Sequence, residues 1–299
     1  MSVSRLQETL DSGKFAVTAE IGPPRSCETE RLREMARMLK GSAHAFNLTD
    51  NQAANVRMSS IASSVICLQE GLEPVMQMTC RDRNRIAMQS DVIGASALGV
   101  RNVLCISGDH QVFGNHPQAK NVYDIDSIQE LMVLRNLCQG TNWSGETLPE
   151  PPQLYLGAAA NPFADPFEFR AARLAKKADA GAQFVQTQCV LDLERFKKFM
   201  SLVVEKGLHE RVHIIAGVIP LRSHKAALFM RNKVAGMSVP DELVDRLRKA
   251  SDPKEEGIRS CVEMMNELLS VKGVHGVHIT AIAWEDIIPR LVNEAGVRP

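Results

Sequence analysis

Eight short apolar runs recur along the chain, and amphipathic helical stretches separate them. The runs are "FAVTAEIG" (15–22), "AFNLTD" (45–50), "PVMQMTC" (74–80), "NVLCISG" (102–108), "QLYLGAAA" (153–160), "FVQTQC" (184–189), "VHIIAGVI" (212–219) and "GVHITAI" (276–282). Segments such as "ETERLREMARMLKG" repeat their apolar residues every three and four positions, as a helix with one buried face does. Glycines close several of them, at Gly41, Gly71, Gly99, Gly181 and Gly207, where a helix C-terminus favours a residue free of Cβ. Strand and helix alternating eight times in 299 residues predict an α/β chain folded as a (β/α)8 TIM barrel. A doubly wound open sheet is the competing architecture, because periodicity does not reveal closure.

The strands start about thirty residues apart, a repeat typical of βα units, with two exceptions. A wider gap before the fifth strand holds the loops "HQVFGNHPQAKNVYD" and "GTNWSGETLPEPP", and one before the eighth leaves room for an extra helix at "PDELVDRLRKA". Alternation continues past the Pro-Glu-Pro-Pro stretch, so residues 1–299 are expected to form a single barrel domain with longer loops after strands four and seven.

Lys+Arg and Asp+Glu balance at 35 each, and aromatics make up only 5%. That balance provides no electrostatic footprint for nucleic acid, and few rings on which bases could stack. No apolar run reaches the roughly 20 residues that span a bilayer, and the N-terminus lacks the apolar centre of a signal peptide. The seven scattered cysteines contain no C-x-x-C pair. A cytoplasmic, reducing setting is expected, without a metal or iron–sulfur site in this chain. His275 and His278 fall on a strand start whose alternation separates their rings, which favours packing over metal binding. There is no Gly-rich dinucleotide fingerprint or P-loop, and no lysine lies in a strand run.

Strand one carries Glu20 inside an otherwise apolar run, two residues before a Gly-Pro-Pro turn. A carboxylate buried without a partner is costly, so Glu20 is paired, neutralised or functional. Alternate residues of a barrel strand face inward, and active sites occupy the C-terminal mouth. That parity gathers Thr18 and Glu20 with Asn47 and Thr49, Gln77 and Thr79, Ser107, and Gln186 and Gln188, with Asp109 just beyond in "SGDHQVFG". After strand five, Arg170, Arg173 and Lys177 share one helical stripe that suits a phosphate, or else a solvated face paired with Glu168 or Asp179.

"AEIGPP", "NLTDN", "SGDH", "AAANP", "KKADAGAQFVQTQ", "IIAGVIPL" and the closing "AGVRP" appear in an order that resembles the methylenetetrahydrofolate reductase family along nearly the whole chain. The resemblance implies a flavin-containing barrel that reduces 5,10-methylenetetrahydrofolate to 5-methyltetrahydrofolate. Glu20 would be the general acid, Asp109 the carboxylate beside flavin and pterin, and Gln188 a folate contact. Thr49, Gly108, Asp109 and Lys177 match flavin-contacting positions, and Asp50, Gln77, Ser107, Asn161, Arg170, Arg173 and Lys176 complete the candidate cofactor site. FAD is the expected cofactor, with FMN as the alternative.

Four departures stand out. Gln77 replaces a common His, and Arg170 and Arg173 replace an Asp and an Asn on the helix that meets the FAD tail. Ala226 and Met230 stand where bacterial relatives have a Gln and a Phe that hold folate and NADH, and "AEIGPP" replaces the more aromatic "FEFFPP". The third departure, with the lack of any cluster motif here, points to an iron–sulfur partner subunit as electron donor; an oligomer is also expected. The competing readings are a flavin-free pterin-binding barrel of the methyltransferase type and a non-catalytic folate-binding subunit.

Overall fold

The computed structural model describes residues 2–234 and 236–299. All eight expected strands are present: β1 (Ala16–Ile21), β2 (Ala45–Leu48), β3 (Pro74–Thr79), β4 (Asn102–Ile106), β5 (Tyr155–Ala160), β6 (Phe184–Cys189), β7 (His213–Val218) and β8 (Gly276–Ile279). They are parallel and close into a barrel in chain order, with β8 pairing back onto β1. Closure removes the open-sheet alternative.

The helices are α1 (Arg5–Asp11), α2 (Glu30–Leu39), α3 (Ser60–Gln69), α4 (Arg85–Ala97), α5 (Ser127–Cys138), α6 (Phe169–Ala180) and α7 (Leu193–Glu205). They continue with α8 (His224–Lys233), α9 (Asp241–Lys249), α10 (Pro253–Leu269) and α11 (Ile288–Glu294). Their apolar stripes do the packing: α2 buries Leu32, Ala36 and Leu39, and α10 buries Ile258, Cys261, Met265 and Leu268. Gly71 and Gly99, after α3 and α4, take φ +85° and +100°, a left-handed turn that any Cβ would strain. The extra helix expected near "PDELVDRLRKA" is α9. No helix among the described residues is long and apolar enough to cross a membrane.

Strand alternation sorts the core into two layers. Val17, Ala19 and Ile21 of β1 pack outward against the helices, while Ala16 joins Leu104, Tyr155, Phe184 and Ile215 inside the barrel. Leu6 and Leu10 of α1 join that inner cluster and close the N-terminal end. The Tyr155 and Phe184 rings stack with centroids 5.0 Å apart, and Gly157 leaves the space the Phe184 ring needs. A Cβ on Gly157 would stand 2.2 Å from that ring. We expect Gly157→Ala to lower unfolding free energy by about 1–3 kcal/mol, read from urea melts, as overpacked cores do.

The phase of β4 differs from the expectation for Ser107. Leu104 and Ile106 take the inward positions, so Ser107 follows the strand out of phase. Its hydroxyl lies 3.4 Å from Ser127 at the start of α5.

Candidate active site

Above the apolar layer the barrel interior turns polar. Asn47 Nδ2 donates to Gln186 Oε1 at 2.6 Å, and Gln186 Nε2 donates back to Asn47 Oδ1 at 3.1 Å and to Thr18 Oγ1 at 3.2 Å. Thr18 Oγ1 meets His278 Nδ1 at 2.9 Å. All four residues are buried, and burial pulls the His278 imidazole down to about 4, so the ring is neutral near pH 7. Such a closed network satisfies its members and fixes their rotamers. It forms the floor of a cavity of about 590 Å3 at the C-terminal mouth, which both Gln186 and His278 line.

The expected separation of the two histidines holds. His275 accepts from the Ile214 N–H at 3.0 Å and meets His213 edge-on, away from His278. His278 is nonetheless a site residue that the sequence reading assigned to packing. Among the described residues no cluster of His, Cys, Asp and Glu could hold a metal.

Glu20, half-buried at the end of β1, lines the cavity. Burial pushes its carboxyl up from the ordinary 4.5 to about 7, and Glu285 pushes the same way. The Gln52 amide donates to Oε1 at 3.1 Å and pulls the value back, as do Gln77 and Arg57. Desolvation wins, because the charged form loses more hydration than these partners restore. The Gln52 bond occupies one carboxyl oxygen and leaves the other to hold a proton.

Asp109 also lines the cavity, but it is exposed. Its Oδ2 accepts from the Ala53 N–H at 3.2 Å, while its main-chain oxygen accepts from buried Arg81 at 3.0 Å. Arg81 also donates to the Asn51 carbonyl, which joins the loops after β2 and β4. Neighbouring residues of one loop therefore hold both carboxylates, Gln52 by its side chain and Ala53 by its backbone. That loop is strained, with Asn51, Ala53 and Ala54 at φ 47°, 54° and 55°. Strain of this kind persists where surrounding bonds fix it, and it collects at functional sites. No periodic pattern in the sequence marks Gln52.

The other expected positions divide. Gln77, Ser107, Gly108, Asn161, Arg170, Arg173, Lys177 and Gln188 line the cavity. Gly108, at φ +81°, passes close to Thr79 and Arg81; a Cβ there would meet Thr79 at 3.0 Å. Gln188 sits where the pairing of β6 with β7 shifts register, and its Oε1 accepts from the Cys189 N–H. Thr49 is buried with its hydroxyl unpartnered.

Like Thr49, two further expected positions do not line the cavity. Asp50 is fully buried against Arg83 at 2.6 Å and accepts both the N–H and hydroxyl of Thr79 at 2.9 Å. It is a structural ion pair and does not line the cavity. Lys176 points outward, with Nζ 5.8 Å from the Phe169 ring, one residue off the stripe that the helical spacing defines.

The stripe itself carries uncompensated charge. Among the described residues Arg170, Arg173 and Lys177 have no carboxylate partner, and Asp179 pairs with Arg211 at 2.5 Å. Lys177 is buried and donates to the Ala159 carbonyl at 2.5 Å. Burial, with Arg173 nearby, brings its ammonium down to about 8. Holding unneutralised cations together in a partly desolvated wall is unfavourable unless an anion joins them. A phosphate-bearing cofactor suits these residues, and the close backbone approach at Gly108 suits it too.

A family model described as methylenetetrahydrofolate reductase matches residues 5–296. The chain is 25% identical over 98% of its length to a "Probable methylenetetrahydrofolate reductase (NADPH)" of Caenorhabditis elegans, of which it covers 44%. It is 24% identical to the "5,10-methylenetetrahydrofolate reductase" of Salmonella typhimurium, covering 96% of this chain and 93% of that protein. The chain thus spans less than half of the animal relative and nearly all of the bacterial one. Among solved structures, an "Uncharacterized protein from Clostridium thermocellum binds two copies of 5-methyl-5,6,7,8-tetrahydrofolic acid" superposes with a TM-score of 0.69 at 16% identity, covering 98% of both chains. That likeness concerns the fold.

Proposed function

Because the chain belongs to the methylenetetrahydrofolate reductase family, we propose that it reduces 5,10-methylenetetrahydrofolate to 5-methyltetrahydrofolate with a bound flavin. The observation that carries this reading is a carboxyl, Glu20, raised to about 7 by burial in the wall of a cavity that Asp109 also lines. When bound, the flavin supplies the hydride. The protein supplies the rest.

Cleaving the carbon–N10 bond of the folate bridge needs a proton at N10 and leaves a 5-iminium cation. Glu20 stays protonated at neutral pH and can give that proton. Asp109 offers negative charge where the cation develops, and Gln188 offers an amide to the pterin. The buried network of Thr18, Asn47, Gln186 and His278 closes the floor of the cavity beneath these groups. The proton Glu20 loses is regained from solvent through the open side of the cavity.

Arg170, Arg173 and Lys177 would hold the cofactor phosphates, with Thr49 and Gly108 at the ring system. Free cations in this wall favour a flavin enzyme over the flavin-free pterin-binding reading. FAD is proposed, and mass spectrometry of the released cofactor separates it from FMN. Arg173 and Lys177 replaced together by Ala should weaken flavin retention about ten- to hundred-fold, since bonds to charged groups contribute about 1.5–3 kcal/mol. Retention equal to the parent after gel filtration would return the stripe to a solvated face. Activity itself is tested by loading the protein with flavin, reducing it anaerobically and adding 5,10-methylenetetrahydrofolate. Return of the visible flavin band with one 5-methyltetrahydrofolate formed per flavin is expected.

A further inference from the structure

Two histidines stitch the N-terminal end of the barrel in the same way. His44 stands one residue before β2, and His275 one residue before β8. His44 donates its main-chain N–H to the Val17 carbonyl at 2.8 Å, and its ring Nδ1 accepts the Val17 N–H at 3.0 Å. His275 repeats the pattern on β7. Its N–H donates to the Ile214 carbonyl at 2.7 Å, and its Nδ1 accepts the Ile214 N–H at 3.0 Å. The His275 carbonyl also accepts the Ala16 N–H at 2.9 Å. Four neighbouring strands, β7, β8, β1 and β2, are thus tied at their feet where the barrel closes.

Successive N–H groups of a strand point to opposite sides, so with Ala16 bonded toward β8 the Val17 N–H turns to β2. There the imidazole takes the position that a ladder carbonyl would fill. Val17 and Ile214 are fully buried, so an N–H released at either would find no water. A ring accepts at Nδ1 only while neutral; the protonated ring carries hydrogen on both nitrogens and sets a donor against a donor. We propose that His44 and His275 form a proton-operated clasp at the foot of the barrel: neutral rings hold β1 between its neighbours, and protonation parts that seam.

The surroundings favour the neutral rings. Burial is the main cause for both, bringing His275 down to about 4 and His44 below its ordinary 6.5. His213 on β7 and His209 in the turn before it also oppose charge on His275. Asp11 of α1 stands 3.1 Å from His213, and Glu210 3.8 Å from His209. Around His44, Glu73 favours a proton while Arg5 and Lys14 oppose it, and Glu8, Lys40 and Arg298 line the same cleft. The folded rings therefore bind fewer protons than the unfolded ones. Their stabilisation is whole above 6.5, falls as pH drops through that value, and for His275 levels out at about 4.

The test compares the parent with His44→Asn/His275→Asn, in which an amide oxygen keeps an acceptor at the δ position and does not titrate. His278 acts on stability with the same sign and Glu20 with the opposite one; both remain in the variant, so the comparison cancels them. Between pH 7 and pH 5 the unfolding constant of the parent, from urea melts, should rise at least about ten-fold more than that of the variant. Equal pH dependence overturns the clasp. Amide hydrogen exchange in the parent is the second measurement and needs no substitution. Protection of Val17 and Ile214 should fall about ten-fold or more over the same interval, while Val103 and Cys105 of β4, across the barrel, keep theirs. Undiminished protection at Val17 and Ile214 overturns the clasp, and so does an equal loss in all eight strands, which is global unfolding and not a parted seam.

Discussion

Glu20→Gln should slow reoxidation of the reduced flavin by 5,10-methylenetetrahydrofolate by a factor on the order of 10² or more, the usual contribution of a general acid. The amide keeps the carboxyl's shape and removes its proton, so the barrel should fold and still retain flavin. The pH dependence follows from the raised pKa. Glu20 is protonated below about 7, so in the parent protein this half-reaction should be fast below that pH and fall about ten-fold per unit above it. Gln52 donates to the charged form and holds the pKa down; Gln52→Ala should therefore move the falling limb to higher pH. Stability carries the same signature. A folded carboxyl that titrates near 7 against 4.5 when unfolded binds the extra proton in the folded state, so stability falls as pH rises through that interval. Glu20→Gln abolishes this loss and should be more stable than the parent above pH 7 in urea melts. A near-normal stopped-flow rate for the variant would sink the acid assignment.

Alternation made much of the site legible. Thr18, Asn47 and Gln186 lie inside because strand side chains alternate, and their hydrogen bonds cross the barrel where that parity brings them together. The same rule applied to β8 places His278 with Gly276 inward, so the ring could have been read as part of the site. Ser107 escaped the rule because β4 ends at Ile106 and parity has no meaning past a strand. Asp50 was misplaced for another reason. Its partner Arg83 is 33 positions away, and no local pattern announces an ion pair formed by folding. Lys176 and Lys177 show how much one residue matters on a helix: a rotation of about 100° separates a solvent-facing cation from a cavity-facing one. Gln52 sits on an aperiodic loop whose left-handed residues are not glycines, and only the folded loop shows what it touches.

We propose that the electron donor of this chain is a partner protein. Ala226 and Met230 lie on α8, where the family resemblance implies a Gln and a Phe. Met230 packs into a cluster with Val239, Val244 and Leu247, and Phe229 beside it points to solvent at 58% exposure. Neither they nor Ala226 line the mouth cavity. Without an aromatic to stack on a nicotinamide and an amide beside it, binding loses about 1–3 kcal/mol, a ten- to hundred-fold fall in affinity for NADH or NADPH. Near the mouth the chain instead exposes apolar residues. Val56, Val112 and Phe113, at 58%, 52% and 77% exposure, stand on the two loops that Ala53 and Asp109 join. A partner carrying its own redox centre, of the iron–sulfur type, would dock on that rim within reach of the flavin. Flavin-loaded protein mixed anaerobically with NADH, then NADPH, then a low-potential chemical reductant gives the decision. Bleaching of the flavin by the chemical reductant alone supports a partner, and rapid bleaching by millimolar NADH or NADPH ends the idea.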